Sequence, residues 1–213
     1  MKVKVGFFSF TEITDRREHR SYNEWHQLDH MPEQFPLPGI VYGQRWVSSP
    51  PCRAARAVSG ERLDPIHYVT LYLMADPIEQ TLRDFMDLGR ELHEKDRFHL
   101  HRRARLSGPF ELVTTAVAPR VLISAAAVPY RPNRGVYVVV QAAGAAPPDA
   151  ETWCAVDGVT GVWQFADAER RITVAWLDDD PLAAATRLPI PSEGVELAGP
   201  FATITPWEWD WFE

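Results

Sequence analysis

At 213 residues the chain has room for one large domain or two small ones, and a hydrophobic share of 46% is enough for a real core. Its 29 acidic against 22 basic side chains leave a formal net charge of −7, which argues against nucleic acid as a partner, because a phosphate backbone needs a basic footprint. Cys52 and Cys154 lie far apart without metal-type spacing, no signal-peptide pattern opens the chain, and no segment approaches the roughly 20 apolar residues of a bilayer span; the expectation is a soluble cytoplasmic protein with no membrane partner.

Strand-like alternation occupies residues 2–12. A helix is expected over 15–31, with Asp15 as its N-cap and Pro32 forcing its end. A strand over 39–48 follows a proline-rich turn. Residues 50–65 read as a loop rich in Arg, Ala and Pro, 67–75 as a strand, and 77–95 as a helix with Leu82, Phe85, Met86, Gly89 and Leu92 on its apolar stripe. The strand over 99–115 begins with the one short basic cluster, 99–105, which suits a solvated strand or turn. Residues 121–128 are too apolar for a free linker and are expected to pack as a strand or to cross a pocket mouth. Beyond them only 149–156 and 182–187 leave room for helices. The tail, 206–213, alternates indole and acid; as a strand it would put Trp207, Trp209 and Trp211 on one face, docked on its own chain or on a second subunit.

Segments recur in order. Residues 5–10, 39–43, 68–77 and 107–114 find counterparts at 136–141, 158–162, 172–181 and 198–205. The pattern reads as β-α-β-β-α-β twice. The expected fold is α+β: a ferredoxin-like unit at 1–115, a linker at 116–134 and a reduced second unit with the Trp-rich tail at 135–213. Their two antiparallel sheets would face each other within one chain, with the helices outside. Such a chain is a monomeric pseudo-dimer, or a homodimer of them.

Residues 22–46 carry the chemistry. A helix turns by about 100° per residue, so Tyr22, Trp25, His26, Asp29 and His30 share one side, while Arg20, Asn23, Glu24 and Gln27 suit water. Imidazoles, a phenol and a carboxylate on the inward side imply a hydrogen-bonded core network or a lined pocket. His30 is the first candidate: at a helix C-terminus its imidazolium would be favoured, and it can exchange a proton near neutral pH. Capping the last carbonyls is its plainer use. Asp29 could orient His26 or pair with Arg45. Tyr22 and Trp25 suit either packing or the walls of an aromatic pocket. Trp25, Arg45, Tyr42 and His67 make up the candidate substrate-binding set. His26 and His30 have the i, i+4 spacing of metal ligands but lack the Glu of H-E-x-x-H and a clear third ligand, unless His67, His99 or His101 comes close. Glycine-rich phosphate loops, G-x-S-x-G and C-x-x-C are absent, which removes most of the support for nucleotide-dependent chemistry and serine hydrolysis.

Trp25-His26, His30-Met31-Pro32-Glu33, Leu37-Pro38-Gly39 and Arg45 resemble the EthD-like branch of the dimeric α+β barrel superfamily. The resemblance covers residues 1–115 as local pattern and the whole chain as architecture. Relatives there include cofactor-independent oxygenases, polyketide cyclases, decarboxylases and small-molecule isomerases. It implies a small-molecule enzyme acting, without nucleotide, metal or other cofactor, on a carbonyl-containing, aromatic or polyketide-like compound. His30 would be general base or acid, oriented with the substrate by His26, Tyr22 and Asp29. The alternative it leaves is a non-catalytic small-molecule-binding or accessory protein using the same pocket. No histidine follows His101, so a matching site in the second half is expected to be lost.

Overall fold

Alternation along the first strand sends Phe8 and Phe10 to one side and Phe7, Ser9 and Thr11 to the other, and that split organises the molecule. The computed structural model describes residues 2–212; Glu213, the last residue of the predicted tail, lies outside the described residues. In chain order the elements are β1 (Val3–Ile13), α1 (His19–Trp25), α2 (Met31–Gln34), β2 (Ile40–Val47), α3 (Pro50–Ala54), β3 (Val58–Ser59), β4 (Tyr68–Ala75), α4 (Ile78–Glu94) and β5 (Arg102–Val117). There follow β6 (Gly135–Ala142), α5 (Ala150–Cys154), β7 (Val159–Ala166), β8 (Arg170–Leu177), α6 (Pro181–Ala185) and β9 (Val195–Thr203). Asp15 caps the N-terminal helical stretch as its sequence position suggested, its carboxylate accepting from the Arg17 N–H.

The eight long strands are antiparallel neighbours in the order β2-β4-β1-β5-β7-β8-β6-β9, and β9 returns to β2 through Trp46 opposite Thr203 and Val47 opposite Ala202. The two-residue β3 adds to β9. This corrects the expectation of two ferredoxin-like units with separate sheets facing each other. At 16 residues β5 is long enough to pair with β1 along its first part and with β7 along its second. With that seam and the β2–β9 seam both hydrogen-bonded, the strands form a single closed barrel instead of two sheets with open edges. The later helices are correspondingly slight: α5 and α6 have five residues each.

Inside the barrel, Phe8, Phe10, Trp46, Phe110, Trp163, Phe165, Trp176 and Phe201 are all buried among Val, Leu and Ile side chains. The Phe8 ring meets Phe110 and Phe165 edge to face, at centroid separations of 5.7 and 5.1 Å. The interior is therefore a packed core. The segment over 121–128 forms no strand. It ends in a 3-10 turn, Ala125–Tyr130, whose Val128 packs against the barrel core and whose Ala125 carbonyl accepts from Trp163 Nε1 at 3.0 Å.

The tail also differs from its expected strand. Trp207 has a left-handed φ of 73° and is 69% exposed, whereas Trp209 is buried with Ile13, Tyr22, Val47 and Tyr68. Phe212 stacks on the His19 ring at 3.9 Å. Among the described residues no helix is long and apolar enough to cross a membrane. Cys52 and Cys154 are buried free thiols.

Candidate active site

Strand register builds a polar row on the outer face of the sheet. Arg45 stands opposite Thr70, Thr70 opposite Ser9, and Ser9 opposite Ser107; the Ser9 and Thr11 hydroxyls are 3.3 Å apart. A sheet face covered by helices is normally apolar, because both sides must leave water together. Here the covering helix is polar as well. Between them lies a cavity of about 390 Å³, walled by β1, β4 and β5 below and by the N-terminal helical stretch and α4 above. That volume is in the range of small-molecule sites.

The roof owes its shape to a π-helical turn, His26–His30, inserted between α1 and α2. The Met31 N–H reaches the His26 carbonyl, five residues back. Pro32 therefore does not end the helix as expected. The wider turn gives its ring space, its missing N–H breaks no α-type bond, and the chain stays helical to Gln34. Tyr22, His26, His30 and Gln34, four residues apart in succession, all face the cavity.

Five buried polar atoms on residues lining the cavity have no hydrogen-bond partner: His26 Nδ1, His30 Nδ1, Gln34 Oε1, Thr70 Oγ1 and the Tyr72 hydroxyl. Each such atom costs about 1–3 kcal/mol when left unsatisfied. Their concentration around one cavity is the mark of a site that receives polar groups from outside the chain.

Among the described residues the lining includes Arg90 and Arg102 and no carboxylate. The Arg102 guanidinium lies over the rings of Phe98 and Trp25, at 4.5 and 5.4 Å. Arg45, only 2% exposed, donates from Nη2 to Asn23 Oδ1 at 2.9 Å and lies against Tyr22 and Tyr68, while its Nε and Nη1 have no partner. Burial, with Arg102 and Arg45 adding to it, pushes the His30 imidazole down to about 4. Burial and then Arg45 hold His26 well below the usual histidine range. Burial raises the Tyr72 phenol. Both imidazoles are thus neutral at pH 7, which corrects the imidazolium expected from a helix end: His30 lies inside a continuing helix.

The same burial makes stability pH-dependent. His19 and His30 are lowered to about 4 and His67 to about 3, all chiefly by burial. Below about pH 6.5 the unfolded chain binds protons that the folded chain refuses. The stability present above that pH is therefore lost as the pH falls towards the folded values, by at most about 1.4 kcal/mol per pH unit for each group. Urea midpoints should drop clearly from pH 7.5 to 5.5; a midpoint that holds or rises contradicts these neutral histidines.

Of the candidates read from sequence, Tyr22, His26 and His30 meet at the cavity. Asp29 does not. It pairs with Arg97, which also binds Glu33 at 2.8 Å, so the expected Asp29–Arg45 pair is absent. Trp25 stacks behind the His30 ring at 4.7 Å, with its Nε1 donating to the Arg97 carbonyl at 2.8 Å. Asn23, expected in water, is fully buried and donates to the Tyr68 hydroxyl at 2.8 Å. Tyr42 is directed elsewhere, bonded to Gln44 and edge-on to Tyr130 at 5.3 Å. His67 accepts from the Ile13 N–H at 3.0 Å and lines a separate groove with Phe212. Among the described residues no three His, Cys, Asp or Glu side chains are grouped as a metal would need. Sequence reasoning missed Ser9, Thr11, Thr70, Tyr72 and Arg102. The available signal was polar side chains at alternate positions of otherwise apolar strands.

Fold and site together define a closed antiparallel barrel whose helix-covered outer face holds a cavity of ligand size, lined by aromatic rings with polar groups among them. No family model and no curated protein matches the chain. Among solved structures, the chain is similar to one described as a candidate monooxygenase from Lactobacillus acidophilus NCFM, with 7% identity and a TM-score of 0.45, over 95% of this chain and 97% of that one. It is also similar to one described as a candidate chlorite dismutase, with 11% identity and a TM-score of 0.44, over 95% of each chain.

Proposed function

We propose that the chain is a small-molecule enzyme that moves a proton next to a carbonyl group of an aromatic or polyketide-like compound, leading to cyclisation, isomerisation or oxygenation of the resulting carbanion. The observation that carries this reading is the set of unpartnered buried polar atoms around a cavity holding two neutral imidazoles. His30 takes the proton. A neutral imidazole is available as a base throughout the physiological range, but one with so low a proton affinity is weak. The positive charges that depress it also stabilise an enolate, so the acidity of the bound substrate rises in step with the weakness of the base. Hydrogen bonds from the His26 ring and the Tyr72 hydroxyl suit the developing oxyanion. Trp25, stacked on His30, fixes the plane of the ring.

Deuterium exchange tests this directly. Aromatic ketones and 1,3-dicarbonyl compounds that bind are incubated with the protein in heavy water and followed by NMR. Exchange at the carbon beside the carbonyl, faster than in buffer, is the expected result. Binding without accelerated exchange for every such compound overturns the catalytic reading. It would support a binding or accessory role, which the low proton affinity of both imidazoles also suits.

A further inference from the structure

We propose that the cavity selects planar organic anions, and that Arg102 is the anchor for their carboxylate. The inference rests on the small-molecule reading of the site and adds the charge of the ligand to it. Arg102 is the first residue of β5 and stands where two spaces meet: it lines the cavity and also an outer groove shared with Phe98, His99 and Leu100. Its guanidinium lies over the Phe98 ring at 4.5 Å, yet among the described residues it makes no side-chain hydrogen bond and no ion pair. A guanidinium carries five donors in a rigid plane, and stacking one face on a ring leaves the edge donors free. A carboxylate matches that edge with two parallel bonds.

The surroundings supply no competing anion. Among the described residues no Asp or Glu lines the cavity, and three carboxylates on the elements that roof it are already engaged: Asp29 and Glu33 by Arg97, Asp87 by Arg90. Arg45, buried beside the cavity on the same sheet face and without a carboxylate partner among the described residues, adds a second uncompensated charge. Two unpaired guanidinium groups beside one low-dielectric cavity make an anionic occupant far more favourable than a neutral one. The inner walls set the rest of the shape. Phe7, Tyr22, Tyr72 and Phe85 present ring surfaces to the cavity, which suits a flat, conjugated body. Bound this way, a ligand places its carboxylate at the mouth and its ring system inward beneath His26 and His30.

The test compares 2-naphthoate with 2-naphthamide, two flat molecules of nearly equal size that differ in charge, by calorimetric titration of the full chain. The expected result is naphthoate binding about tenfold tighter or more. In Arg102→Gln the ratio of the two affinities should collapse towards one. Arg102→Lys, which keeps the charge and most of the stem, should hold a preference of intermediate size. Thermal unfolding of each variant establishes that it is folded, and the lysine variant carries the comparison if the glutamine variant is not. Equal affinities in the wild type, or a preference that survives in Arg102→Gln, overturns the inference. Naphthamide binding without anion preference does so while leaving the small-molecule reading intact; if neither probe binds, both fall.

Discussion

Replacing His30 by alanine is expected to slow proton exchange on a bound carbonyl compound by about 10²–10⁴-fold, the usual worth of a positioned general acid or base. The fold should tolerate the change. His30 contributes no side-chain hydrogen bond from its Nδ1, and its ring is stacked on Trp25. Losing that stacking costs something, but removing an unsatisfied buried nitrogen returns part of it. The expected change in stability is on the order of 1 kcal/mol. The pH profile separates a base from a mere wall residue. With its imidazole near 4, His30 gives a rate that is level from pH 9 to 6 and falls only below that. His30→Gln keeps much of the volume and should not restore exchange. If either variant turns over at the wild-type rate, proton transfer is done elsewhere.

The second large effect belongs to the barrel. Phe8→Ala should cost about 3–5 kcal/mol, the range for deleting a fully buried phenylalanine. Phe8 is completely buried and its ring bridges β1 to β5 and β7 through Phe110 and Phe165. Its loss therefore opens a void shared by the earlier and later strands. Because the barrel is closed at both the β5–β7 and β2–β9 seams, the chain should unfold in one step. Tryptophan fluorescence and circular dichroism should shift together to lower denaturant. Two separate transitions, of which only the first moves in the variant, would show halves that fold independently.

Much of the element order was legible because alternation and helical stripes are local signals. Strand positions within residues 2–12, 39–48, 67–75 and 136–141 lie within a residue or two of the strands found. Closure was not legible. It depends on β5 pairing with two partners and on two residue pairs joining β2 to β9, contacts between distant parts of the chain that no local pattern announces. The π-turn was hidden for a different reason. Pro32 is a strong stop signal, and only the widened backbone before it lets the helix run on to Gln34.

Site residues divide in the same way. Tyr22, His26 and His30 could be aligned by counting along a helix. Asp29 was placed on the same side by that count, but Arg97, 68 residues further along, draws it outwards. Asn23 was read as a water-facing residue because it lies opposite the histidines. Burial against Tyr68 and Arg45 turned it into a structural hinge of hydrogen bonds instead. Ser9, Thr11 and Thr70 looked like the ordinary wet side of alternating strands. They become the floor of a site only once helices are known to cover that side.

Gly89 offers the most direct measurement of whether the cavity is functional space. It lines the cavity in the middle of α4, where a glycine costs about 1 kcal/mol relative to alanine, and a Cβ built there meets no atom within 4 Å. A large side chain at this position should occupy the space the ligand needs without disturbing the backbone. For Gly89→Phe the account predicts a melting temperature equal to or above that of the wild type, with 2-naphthoate binding and deuterium exchange both lost. A folded variant that still binds and exchanges as the wild type does would contradict it.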